Sequence, residues 1–181
     1  MFSLFKRKEV ELSPAAMQRL LGAAQLRHRL DTIYANCGFP RVEGSIEREL
    51  GRLAAFGAIS ISATIGISVG DQTDDCETLA IATLSIICAD YLSQQSRIDF
   101  QELAAQAVVY MRLADDRNKV MVLHMKALAI YAALADTVNT SLLHVGQAFA
   151  EFFATADVDA LTSAEPHAAR LLEIIRSSLS E

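Results

Sequence analysis

Apolar residues recur at intervals of three and four along most of the chain, and the polar punctuation between them marks about seven helical segments. Ser13 followed by Pro14 is an N-cap with proline at the first helical position, and predicts a helix to about Asn36. Cys37-Gly38-Phe39-Pro40 closes it, because glycine accepts the left-handed cap and proline cannot continue a helix. Ser45 opens a second helix in which Ile46, Leu50, Leu53 and Gly57 form a one-sided stripe, expected to pack on the first helix. Thr73-Asp74-Asp75 caps a long third helix to about Gln94, with Asp74, Asp75 and Glu77 at the positive end of its dipole. Asp99-Phe100-Gln101-Glu102 is a D-x-x-E capping box with Ile98 and Leu103 in staple positions, and its helix is expected to reach about Ala114.

Asp115-Asp116-Arg117-Asn118 reads as a turn. Residues 120–135 then carry apolar side chains on every face, which predicts a central helix, 117–135, surrounded by the others. Two further helices are expected from about Thr140 to Thr155 and from Ser163 to Leu179, the last with an inward stripe of Ala168, Leu171, Leu172, Ile175 and Leu179. The predicted fold is therefore all-α or nearly so: one helical domain over residues 13–181, preceded by a flexible basic and apolar segment, 1–12.

Residues 58–69 break the helical rhythm. Ile59, Ile61, Ala63, Ile65, Ile67 and Val69 alternate with Ser60, Ser62, Thr64, Gly66 and Ser68, the pattern of a half-buried strand or hairpin. A lone strand has no ladder partner. The run therefore either pairs across a dimer, forms two short strands, or is helical because tertiary packing overrides local propensity. Leu53–Gly70 is also 18 residues without a charge, the minimum for a membrane-spanning helix, with Arg48 and Arg52 before it and Asp71 after it. Its alternating Ser, Thr and Gly suit a strand better than a lipid-facing helix.

Composition narrows the class. Of 181 residues, 52% are apolar and 21% charged, which excludes a disordered chain. The net charge of −6 is the wrong sign for neutralising phosphates, so no nucleic-acid partner is expected. Cys37, Cys76 and Cys88 are an odd set at spacings that fit neither a disulfide framework nor a zinc site, and read as buried free thiols of a reducing, cytoplasmic compartment. Asn139-Thr140-Ser141 matches a glycosylation acceptor but reads better as a helix start. Residues 1–52 hold 9 Lys/Arg and 6 Asp/Glu, and residues 53–181 hold 7 and 16.

No catalytic constellation meets its own geometric requirements, so the sequence leans away from an enzyme and implies no cofactor or metal. Gly66-Ile67-Ser68-Val69-Gly70 matches the nucleophile elbow, but that device needs a sheet and a helix directly after the serine. A di-iron bundle needs Glu-x-x-His pairs, and none of His28, His124, His144 and His167 has an acid three residues before it. The candidate pocket residues are His124, Lys126 and Tyr131 on the helix 117–135, together with Asp90, an acid in an apolar helix. The N-terminus sets Phe2, Leu4 and Phe5 against Lys6, Arg7 and Lys8, the combination for weak contact with an anionic membrane surface such as the inner face of a cell membrane. The functional expectation is a non-enzymatic interaction or assembly protein, self-associating or bound to a protein partner; the alternative is a small-molecule or enzymatic domain with a pocket near His124.

Overall fold

Four side chains start helices where the sequence places them. Ser13 Oγ accepts from the backbone N–H of Ala16 (3.2 Å), Ser45 Oγ from Arg48 (3.4 Å), Asp74 from Glu77 (2.7 Å) and Asp99 from Glu102 (3.1 Å). The computed structural model describes residues 13–39, 44–70, 73–111, 116–137 and 139–179. Within them the chain forms seven α-helices: α1 (Pro14–Cys37), α2 (Ile46–Thr64), α3 (Asp75–Ser96), α4 (Phe100–Tyr110), α5 (Arg117–Thr137), α6 (Asn139–Thr155) and α7 (Glu165–Leu179). A 3-10 segment, Val158–Ala164, leads into α7. No strand occurs among the described residues, and the protein is an all-α bundle.

The centre of the bundle is α3. Helices α2, α4, α5, α6 and α7 all pack on it, and every residue from Leu79 to Ala89 is buried. Small buried residues along it (Ala80, Ala82, Ser85, Cys88, Ala89) let neighbouring helices approach closely. Its buried hydroxyls turn back into the helix: Thr83 Oγ1 donates to Leu79 O and Ser85 Oγ to Ala82 O, each at 2.7 Å. That removes the cost of leaving a buried polar group without a partner.

This corrects the expectation that 117–135 is the central helix. Only Leu123, Ala127 and Leu134 of α5 are buried, while Met121, Val122 and Met125 are 60%, 53% and 61% exposed. The reason lies in the charges among its apolar residues. Lys119, Lys126 and Asp136 need water, so the side of α5 that carries them faces out and takes its apolar neighbours with it.

The alternating run is mostly helical. Helix α2 continues to Thr64, with Ser62 Oγ donating to Ala58 O and Thr64 Oγ1 to Ile61 O, both at 2.7 Å. A turn with Gly66 at φ 80° ends it, so 53–70 is not one continuous helix. The α2 stripe also packs differently from expectation, against α3 and α4 rather than along α1. Glycine permits the close approach of α4, because a Cβ at Gly51 would overlap Gln106, and it likewise makes room for α6, because a Cβ at Gly57 would overlap the Phe149 ring. Helix α4 ends at Tyr110, short of Ala114, and Leu179 at the end of the α7 stripe is 52% exposed. Of the three free thiols only Cys88 is buried, Cys37 and Cys76 being half-buried. Residues 1–12, and with them the expected membrane contact of Phe2, Leu4, Phe5, Lys6, Arg7 and Lys8, lie outside the described residues.

Candidate functional site

Helix α5 presents two unlike sides. Its inner side sets Leu123, Ala127 and Leu134 on the core, with Val120, Leu128, Ile130 and Tyr131 packed half-buried around them. Its outer side repeats at helical spacing through Asn118, Val122, Met125, Ala129, Ala132 and Asp136, and all six are exposed. Two helices among the described residues are long and apolar enough to cross a membrane, α3 and α5. They differ in cover: 67% of the most apolar 18-residue window of α3 is buried, against 11% of that of α5.

The four candidate pocket residues divide between these sides. Tyr131 Oη donates to Asp90 Oδ2 at 3.1 Å, bridging α5 to α3, and Gln94 Nε2 donates to the same oxygen at 3.0 Å. Burial, with Asp90 beside it, pushes the Tyr131 phenol up to about 12, so it stays a hydrogen-bond donor at neutral pH. The Tyr131 ring also tilts against Phe100 of α4, with centroids 5.9 Å apart. His124 lies one helical face with Tyr131, two turns earlier. Its Nδ1 is buried without a hydrogen-bond partner among the described residues, and burial lowers its pKa. Lys126 is exposed and turns away from the other three. It borders a groove of about 500 Å³ between the start of α3 and the first half of α5, whose walls include Asp75, Thr78, Lys119, Val122 and Leu123. His124, Tyr131 and Asp90 do not line that groove.

Ser68 sits in the irregular stretch after Gly66, exposed, and its carbonyl accepts from Thr73 Oγ1 at 3.0 Å. The next helix begins only at Asp75, so the strained strand-to-helix turn of a nucleophile elbow is not formed.

Two polar groupings escaped the sequence. Glu49, 3% exposed, accepts from both Arg27 Nη1 (2.5 and 2.6 Å) and Tyr34 Oη (3.2 Å), fastening α1 to the start of α2. Burial and the Glu49 carboxylate raise Tyr34 to about 12. Elsewhere, His144 of α6 and His167 of α7 stack with ring centroids 4.1 Å apart and 7° between planes. Both groupings join residues from different helices, and a single helical period carries no signal for such pairings. The outer side of α5 had a signal: Lys119, Lys126 and Asp136 interrupt an otherwise apolar helix. No protein-family model, curated protein or solved structure matches this chain.

Proposed function

We propose that this chain is a non-enzymatic helical interaction or assembly protein whose working surface is the outer side of α5. One observation carries the reading: a helix as apolar as the core helix α3 keeps only 11% of its most apolar window buried. Contiguous exposed apolar surface is unfavourable in water and marks contact surfaces. Methionines suit such a surface, since an unbranched, polarisable side chain adapts to the shape of a partner. The reading places the protein in the cytoplasm, in keeping with its free thiols, and includes contact with anionic lipid through residues 1–8.

The alternative, a ligand pocket near His124, has weaker support. The Asp90–Tyr131 pair is already satisfied by its own hydrogen bonds, and the groove beside α5 is bordered by other residues.

Photo-cross-linking in the producing cell tests the reading. A photoreactive residue replacing Met125 is expected to give discrete protein adducts, and one replacing the exposed Glu151 of α6 to give none. Equal labelling from both positions, or none from Met125, would overturn it.

A further inference from the structure

We infer that the outer side of α5 pairs with the same side of a second copy, antiparallel, about a two-fold axis that passes the helix at the level between Ala127 and Leu128. This rests on the reading of α5 as the working surface and names its partner. Three properties of the helix converge on that arrangement.

The first is spacing. Asn118, Val122, Met125, Ala129, Ala132 and Asp136 follow one another at four, three, four, three and four residues, the interval at which one helix meets another along a continuous seam. The second is size. The large exposed apolar side chains, Met121, Val122 and Met125, occupy the first half of α5, and the exposed apolar residues of the second half are all alanines, Ala129, Ala132, Ala133 and Ala135. Two parallel copies would set methionine on methionine at one end and alanine on alanine at the other, so the axes would be forced apart at the first and leave a void at the second. Antiparallel copies set each large side chain against a small one, and the axes keep one separation along their length.

The third is charge. Arg117 and Lys119 stand at the start of α5 and Asp136 near its end, all exposed. The antiparallel register that sets Val122 beside the partner's Ala133 also sets Lys119 beside the partner's Asp136. Two-fold symmetry makes each of those contacts twice. A parallel pair would instead oppose Lys119 to Lys119. A lipid surface fits less well: none of the exposed positions of α5 is aromatic, and alanine contributes little apolar area to insertion.

Light scattering on the full chain, over a range of concentrations, reads the mass directly. The expected result is a concentration-dependent rise to twice 19.7 kDa. Ala129→Glu, at an exposed position, should return it to the single-chain mass with unchanged helical content. Lys119→Asp should raise the dissociation constant about tenfold by turning two attractive pairs repulsive, and Lys119→Asp combined with Asp136→Lys should restore it. Orientation is read by cross-linking in a chain with Cys37 and Cys76 replaced by serine. Mixed Val122→Cys and Ala133→Cys chains should join each other in preference to joining their own kind. A single-chain mass at every concentration, a dimer indifferent to Ala129→Glu, or preferential joining of Val122→Cys to itself would each overturn the inference. If the chain is monomeric while Met125 still forms protein adducts in cells, the second copy is excluded and the interaction reading stands. If Met125 is silent as well, both fall.

Discussion

Neutral imidazole is favoured by the fold at two places. The ring of His124 is partly withdrawn from water and its Nδ1 has no partner among the described residues, so burial lowers its pKa below the ordinary 6.5. His167 is lowered by burial, then by the stacked His144 and by Arg170, two groups whose positive charge opposes its own. In both cases the unfolded chain binds the proton more readily than the folded one. The stability that these histidines contribute is therefore complete above pH 6.5 and is lost as pH falls through and below it. Thermal melts between pH 8 and 5 should show a flat upper range and a decline on acidification, on the order of the range where free imidazole titrates. Proton NMR should place both midpoints below 6.5. A midpoint for His167 above that value, or a Tm that rises on acidification, would contradict the description of the stacked pair.

Helices α3 and α5 have similar compositions and opposite roles, which gives a paired test at the scale of elements. Leu84 of α3 is 1% exposed and Met125 of α5 is 61% exposed. Leu84→Ala should cost about 2–5 kcal/mol in urea unfolding, and Met125→Ala in dilute protein less than about 0.5 kcal/mol. Comparable losses at both positions would mean that α5 is as enclosed as α3. The same contrast shows what the sequence could and could not convey. Helix starts were legible because their signal is local: Ser13, Ser45, Asp74 and Asp99 each hydrogen-bond a backbone N–H within the same turn. The strand-like run at 58–69 was misleading because Ser62 and Thr64 return their hydroxyls to the helix backbone and so behave as small, nearly apolar residues. The candidate residues were legible as types and not as a group. Tyr131 and Asp90 meet, while Lys126 faces the other side of α5, since its contacts depend on which side of that helix is covered. Apolar composition alone does not decide between two helices competing for the centre of a bundle.

At the scale of the whole molecule, the bundle encloses α3 with five other helices and leaves one long apolar helix on its outside. If α5 is the working surface, its outer side is open in the single chain and covered by a partner in the assembly. The methionines report on it directly, because oxidation by a small oxidant follows access to the sulfur. Met111 is 1% exposed, Met17 is 48% exposed on α1, and Met121 and Met125 lie on the outer side of α5. In dilute protein, Met121 and Met125 should oxidise as readily as Met17, with Met111 protected. In concentrated protein, Met121 and Met125 should become slow while Met17 is unchanged. Met121 and Met125 as slow as Met111 in dilute protein, or as fast as Met17 at every concentration, would contradict the account.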